Sequence, residues 1–398
     1  MMPARPRNDE GPRTLVVAGI SVRALAESAR QGGWDVIALD LFGDADTRRA
    51  SVHWAPIGEP SALHVDPALL RQELQRAARH PRVDGWVPAS GFEGAPDLLG
   101  AGGPALPCIA VEPSAMMRVR DPATFFGALD RHRLAHPRIS FDAPADPVGW
   151  LAKRAGGCGG AHIRTAAQVL ADPASRHPDT YFQRWQPGTP MSALFVADGA
   201  RFRLVALNRL IVRAVWPLPH VYAGAVGPVS DDRLAQAVDR ALAALVPEFG
   251  LRGLASLDFV ADESGAHWLE VNPRPPATLQ LHPDAWPDGL VRAHVDAVRG
   301  HLPAIAPSRG RGVRGHLTVF ADRPGLVAGE SMHDPAGRPH VHDLPSPGTR
   351  FARGEPICTV SAQAGGVDDA LRLLDGRAAR ARRRFAPRRA PAAEELSA

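Results

Sequence analysis

The stretch LASLDFVADESGAHWLEVNPRP, residues 254–275, decides how this chain is read. Apolar and polar residues alternate on both sides of a Glu-Ser-Gly turn, the pattern of a β-hairpin with one buried face. If Glu263, Ser264 and Gly265 form a three-residue loop with Gly265 left-handed, Asp262 pairs with Ala266. That register sets Asp258 directly across from Glu270. Side chains alternate along strands, so Leu257, Phe259, Leu269 and Val271 bury together while Asp258, Glu270 and Asn272 converge on the opposite face. Two carboxylates and an amide oxygen, without His or Cys, suit a hard cation such as Mg²⁺ held together with substrate phosphates. The same spacing also describes a hairpin whose polar face meets only solvent. Arg274, two residues beyond Asn272, has the type and place to clamp a phosphoryl group or a carboxylate.

Upstream, Lys153 precedes the run Gly156-Gly157-Cys158-Gly159-Gly160. Such a run lets backbone N–H groups approach phosphate oxygens closely, or simply makes a flexible turn. It is not a P-loop, since no G-x-x-x-x-G-K-[ST] occurs. Cys158 has no neighbouring base in the sequence to make it a nucleophile. Further upstream, TLVVAGI (14–20), an amphipathic helix from about Ser21 to Gly32 and WDVIALD (34–40) form a β-α-β unit. VDGWVPA (83–89) and CIAV (108–111) extend it into a parallel α/β layer. The loop Gly19-Ile20-Ser21 lacks G-x-G-x-x-G, which argues against dinucleotide binding. After the hairpin, residues 315–362 are strand-rich with Gly/Pro turns, and a helix at about 367–384 leads into a charged tail.

Composition narrows the classes. The chain has 398 residues, 45% hydrophobic and 22% charged, which is globular and long enough for two or three domains. No apolar run reaches the ~20 residues that span a bilayer, and the N-terminus lacks a signal-peptide core. Cys108, Cys158 and Cys358 are too widely spaced for a disulfide framework or a C-x-x-C clip. A soluble cytoplasmic protein with no membrane or nucleic-acid partner is expected. The 46 basic residues include a single lysine, Lys153. Under so strong a drift to arginine, a retained lysine points to a need for a compact ammonium, unless it survives by chance. Seven arginines between Arg377 and Arg389 read as a solvated segment rather than a nucleic-acid contact.

The order Lys153, glycine run, Gln183-Arg184-Trp185, Ser192, Asp258 and E-V-N-P-R-P (270–275) resembles the ATP-grasp superfamily of carboxylate–amine ligases. More narrowly, the chain is similar to methylotroph ATP-grasp proteins related to tyramine–glutamate ligases. HDLPSPGTRFARGEPICTVSA (342–362) is similar to the small C-terminal β domain of biotin-carboxylase-like members. The resemblance implies an α/β (α+β ATP-grasp) chain in several parts. Residues 1–12, polar and Pro-rich, are expected to be disordered on composition alone, and the resemblance makes 13–115 a Rossmann-like pre-ATP-grasp layer. A two-lobed ATP-grasp domain covers 116–305 (small lobe about 116–186, large lobe about 187–305). A small β domain at 310–366 and a helix with an Arg-rich tail at 367–398 complete it.

Carried over by position, the resemblance puts Lys153 on the ATP α/β-phosphates and Gly156, Gly157, Cys158, Gly159 and Gly160 over the triphosphate. Gln183, Arg184 and Trp185 lie at the adenine through backbone groups. Asp258, Glu270 and Asn272 hold Mg²⁺, with Mn²⁺ as an alternative, and Arg274 and Lys153 are the catalytic cations. Where the family carries a second nucleotide lysine, this chain has Arg120. Gly19, Ser21, Arg23, Ser90, Gly91, Phe92 and Glu93 fall at the acceptor-substrate site. The implied reaction joins a small-molecule carboxylate and an amine through an acyl phosphate, with glutamate ligation in methylofuran-type cofactor synthesis as the specific form. Biotin-carboxylase-like carboxylation and a non-catalytic nucleotide-binding protein are the alternatives. A homodimer is the implied assembly.

Overall fold

The computed structural model describes residues 12–385 except 173, 175, 303, 305–311 and 328–339. The segment expected to be disordered (all but residue 12) and the end of the Arg-rich tail lie outside the described residues. The N-terminal layer is a parallel sheet of β1 (Thr14–Ala18), β2 (Asp35–Asp40), β3 (His53–Pro56) and β4 (Val83–Pro88), in the order β3-β2-β1-β4. β1 is buried along its whole length, as its uninterrupted apolar run requires. The segment expected as a further strand at 108–111 contributes one bridge, Trp86 to Cys108. The sequence reading missed β3.

A four-stranded sheet, β5 (Ile139–Ser140), β6 (Trp150–Arg154), β7 (Arg164–Thr165) and β8 (Thr180–Arg184), makes the small lobe, ordered β5-β8-β6-β7. Among the described residues its buried apolar cluster is Ala152, Ala166, Val169 and Phe182, with Trp150 and Leu170 packed against it. A unit so thinly cored resists displacement weakly.

An eight-stranded sheet forms the body. It contains β9 (Thr189–Asp198), β10 (Phe202–Val215), β11 (Leu218–Gly227), β12 (Arg252–Asp262), β13 (Gly265–Asn272) and β14 (Val313–Phe320). β15 (Gly325–Leu326) and β17 (Arg350–Phe351) pair apart from it, whereas β16 (Val341–His342) and β18 (Pro356–Ala364) complete its order, β13-β12-β9-β10-β11-β14-β18-β16. The C-terminal segment expected as a separate small β domain thus continues the large-lobe sheet, because β14 pairs with β11 from Gly224–Leu317 to Gly227–Arg314. One face of the body packs Leu194, Val196 and Leu254 against the N-terminal layer and the helix Gly289–Val298. The other packs Phe195, Leu257 and Phe259 against the helix Asp232–Phe249.

The decisive hairpin reaches the expected geometry by a different route. The turn has two residues, with Asp262 paired to Gly265. Asp262 Oδ1 accepts from Ser264 N at 2.8 Å, Ser264 Oγ at 2.6 Å and Gly265 N at 3.2 Å, an Asx turn that closes the loop one residue early. A bulge between Asp258 and Phe259 then restores the register, so Asp258 still faces Glu270. The bulge also reassigns the core. Trp268, 2% exposed and 5.1 Å from the Phe259 ring, buries where Leu269 was expected. Leu269 instead lines a cavity with Arg120, Tyr181 and Glu270.

Candidate active site

The hairpin bulge turns both carboxylates toward one point. Asn272 Nδ2 donates to Asp258 Oδ2 at 2.9 Å and lies 3.5 Å from Glu270 Oε1, while Ser192 Oγ donates to Asp258 Oδ1 at 2.7 Å. Burial and the Glu270 charge raise the Asp258 carboxyl. Burial alone would raise Glu270 too, but Arg120, then Lys153 and His162, override it and hold that carboxyl well down. Like charges in one buried place are tolerated only when something cationic joins them. Among the described residues no group of three or more His, Cys, Asp or Glu side chains has the geometry of a metal site. Two carboxylates and an amide suit a hard cation that completes its shell with phosphate oxygens and water, once Asn272 turns toward it the Oδ1 that Arg274 holds.

Arg120 ends the helix Pro113–Arg120, which the sequence reading missed. Its guanidinium donates to Glu270 Oε2 at 3.0 Å, to the Val271 carbonyl at 3.3 Å and to the Gly157 carbonyl at 2.5 Å. A planar fork with separate terminal nitrogens bridges hairpin and glycine loop at once. Lys153, 4% exposed on β6, donates from Nζ to Gln183 Oε1 at 3.2 Å. Three buried nitrogens here have no partner: Arg120 Nε, His162 Nδ1 and Gln183 Nε2. Unsatisfied buried donors are rare in native proteins, and their grouping around one cleft marks a place built for a polar ligand.

The glycine run is folded over this cleft. Gly160, at φ +79°, passes so close to β11 that a Cβ would lie 1.8 Å from the His220 carbonyl. Tyr222 N donates to the Gly159 carbonyl at 3.0 Å, and Gly156 rests on Gly94 of the N-terminal layer. Only glycines allow three backbones to meet in this way. Burial, then the Glu93 charge, push the Cys158 thiol up to about 12, so it stays protonated and inert.

The segment Gln183–Trp185 departs from expectation in its backbone N–H groups. Arg184 N already donates to Arg138 O at 2.8 Å and Trp185 N to Gly149 O at 2.9 Å, so neither amide is available to a base. The Gln183 amide nitrogen is the free donor of this segment. Arg184 instead caps Val148 O at 2.7 Å, and Trp185, 49% exposed, stacks on His220.

The N-terminal loops divide. Glu93 is buried and accepts from Arg274 Nε at 2.7 Å and from Gly91 N at 2.7 Å, tying the layer to the hairpin. Arg274 also donates to Asn272 Oδ1 at 3.3 Å. Phe92, expected at the substrate, is fully buried against Trp86 and belongs to the core. Arg23 is likewise occupied: it holds Asp343 at 2.7 Å, Glu27 at 2.8 Å and Gln280 at 2.8 Å, a strut between layer and body. Gly19 packs on Ala89, Ser90 O accepts from Ile20 N, and Ser21 is exposed.

Burial works to raise Glu93, but Arg274 and then Arg120 outweigh it and hold its carboxyl below 4.5. A depressed carboxyl stabilises the fold above its unfolded value and loses that contribution as pH falls through the folded value. Thermal melting of the parent should therefore decline below about pH 4.5, and Glu93→Gln should flatten that decline while lowering the midpoint at pH 7. A variant with the parent's full acid slope would show that the Glu93–Arg274 pair contributes nothing to it.

Sequence reasoning missed His162, Tyr181 and Tyr222. Each is a lone aromatic with no motif, and only the fold brings it to the cleft. No described helix is long and apolar enough to cross a membrane.

Residues 120–278 match the ATP-grasp domain. No curated protein matches the chain by sequence. Among solved structures, the fold is similar to the biotin carboxylase domain dimer of the Hydrogenobacter thermophilus 2-oxoglutarate carboxylase with MgADP, ADP and bicarbonate (TM-score 0.70, 11% identity, 92% of this chain and 89% of that one). It is also similar to a Campylobacter jejuni biotin carboxylase–β,γ-ATP complex (0.68, 15%, 91% and 89%). The N5-carboxyaminoimidazole synthetase of Staphylococcus aureus is a third (0.65, 14%, 92% and 97%). The match to the ATP-grasp domain sits within a mixed α/β fold that is similar along nearly the whole chain to these solved structures.

Proposed function

We propose that this chain is an ATP-dependent carboxylate–amine ligase. ATP phosphorylates a substrate carboxylate, and an amine then displaces phosphate from the acyl phosphate to leave an amide. The supporting observation is the convergence of Arg120, Lys153 and Arg274, from three different parts of the chain, on the face that carries Asp258, Glu270 and Asn272. Two anions must meet, so charge repulsion is the main barrier, and buried cations oppose it far better than solvent does. Asp258, Glu270 and Asn272 would hold Mg²⁺, which when bound supplies Lewis-acid neutralisation of the phosphates. Lys153 holds phosphate oxygens, Arg274 orients the carboxylate, and the glycine loop keeps water from the acyl phosphate. No protein nucleophile is needed, in keeping with the protonated Cys158.

The finer form of the reading is ligation of glutamate to an aminated aromatic or furan precursor in one-carbon cofactor synthesis, by a cytoplasmic homodimer. It is supported by the motif order alone. Mass spectrometry for an ATP-dependent product from glutamate and a panel of amines tests it. The expected result is a mass gain equal to glutamate less water, with one ADP per amide. Likeness to biotin carboxylase folds favours a second reading, carboxylation through carboxyphosphate. Bicarbonate-dependent ATP hydrolysis without any amine would establish that reading, and nucleotide binding with no turnover would leave a non-catalytic protein.

A further inference from the structure

Tyr222 lies on β11 directly beneath the glycine loop, since its own N–H carries Gly159. Its ring is half-buried, and its hydroxyl lies 2.8 Å from His316 Nε2. His316 comes from β14, opposite Ala225, and is 3% exposed. Its other nitrogen, Nδ1, has no partner. The pair sits where the C-terminal strands join the body, on the side of the cleft reached by Asp258 and Arg274, whose charges both act on the tyrosine hydroxyl. Burial pushes the phenol up and draws the His316 imidazole down to about 3, so both groups stay neutral in the working range.

A neutral imidazole that donates Nε2–H to the phenol oxygen leaves the tyrosine O–H free to point away from it. Arg274, with its Nε on Glu93 and Nη2 on Asn272, turns its remaining terminal nitrogen to the substrate carboxylate, and a second donor is then needed for the carbonyl oxygen. We propose that Tyr222 is a further catalytic residue, donating a hydrogen bond to the carbonyl oxygen of the acyl phosphate, with His316 as its positioning residue. This rests on the ligase reading. As the amine nitrogen bonds to the carbonyl carbon, that oxygen takes on negative charge beside the Tyr222 hydroxyl. The carbon–oxygen bond to phosphate then breaks, the electron pair leaves with phosphate, and the nitrogen's proton leaves with it. Tyr222 keeps its own proton throughout.

The test uses the full chain, Mg·ATP and the glutamate–amine pair found active by mass spectrometry. Tyr222→Phe should lower kcat for amide formation about thirtyfold with KM for Mg·ATP unchanged, the split expected for an interaction made only in the transition state. His316→Phe should lose about tenfold, and His316→Gln, which keeps an N–H near Nε2, should recover most of it. If Tyr222→Phe forms amide at the parent's rate, or loses Mg·ATP affinity in step with kcat, or if His316→Gln fails like His316→Phe, the proposal is wrong. A parent that forms no amide with any pair overturns the ligase reading and this role with it, whereas an active parent matched by Tyr222→Phe overturns this role alone.

Discussion

Replacing Glu270 by glutamine should lower ATP turnover about 10²–10³-fold, the scale of removing one preorganised electrostatic contact from a transition state. The side chain is nearly isosteric, and its amide oxygen can still accept from Arg120, now 3.0 Å away, so the hairpin should fold as before. What disappears is a charge. Glu270 is kept ionised by Arg120 and then Lys153 against the pull of burial, whereas burial and then the Glu270 charge push Asp258 toward protonation. Of the two carboxylates, Glu270 is thus the dependable anion for a cation to rest on. The midpoint for activation by Mg²⁺ should rise in parallel with the loss of turnover. Turnover within a few-fold of the parent, at the same Mg²⁺ midpoint and an unchanged melting temperature, would remove the metal role from this hairpin.

The pairing of Asp258 with Glu270 was legible in the sequence, though two local errors cancelled to give it. A loop counted one residue too long and an unseen bulge at Leu269 left the functional register intact. Alternation is a strong signal because one slip would bury the carboxylates and expose Val271. The bulge itself leaves no such mark, so Trp268 and Leu269 exchanged places. The glycine run was also readable, because close backbone approach restricts the residue type at Gly156 and Gly160, whereas Lys153 stood out as the single lysine and Arg120 only by its place in the motif order. The N-terminal loops were harder to read. Arg23 and Phe92 stand at the right ends of the right strands, yet one is consumed by Asp343 and Gln280 and the other by Trp86. Strand-end position says where ligands bind in such sheets, but long-range packing decides which side chains remain available. Tyr222 and His316 lie 94 residues apart, and no local pattern could have joined them.

Exchanging the single lysine for arginine carries the other large expectation. The remaining 45 basic residues (46 less Lys153) are arginine, so the composition gives no general reason to avoid it. The reason is local. Lys153 is 4% exposed, its ammonium touches Gln183 Oε1 and lies 5.9 Å from the Tyr181 ring, and Arg120 already places a guanidinium on the far side of Glu270. A compact ammonium on a flexible stem can follow phosphate oxygens as charge moves between them, while a second planar fork needs more room and fixed partners. Lys153→Arg should stay folded, bind Mg·ATP more weakly and turn over about 10²-fold more slowly, ~2.7 kcal/mol at 1.36 kcal/mol per tenfold. Gln183 gives an independent reading of the same geometry. If the lysine works by holding phosphate with Gln183 behind it, Gln183→Leu should reproduce part of the loss in nucleotide affinity, because the ammonium loses the oxygen that it donates to. Titrating nucleotide into all three proteins settles the matter: an arginine variant equal to the parent in affinity and turnover would make Lys153 a structural residue of β6.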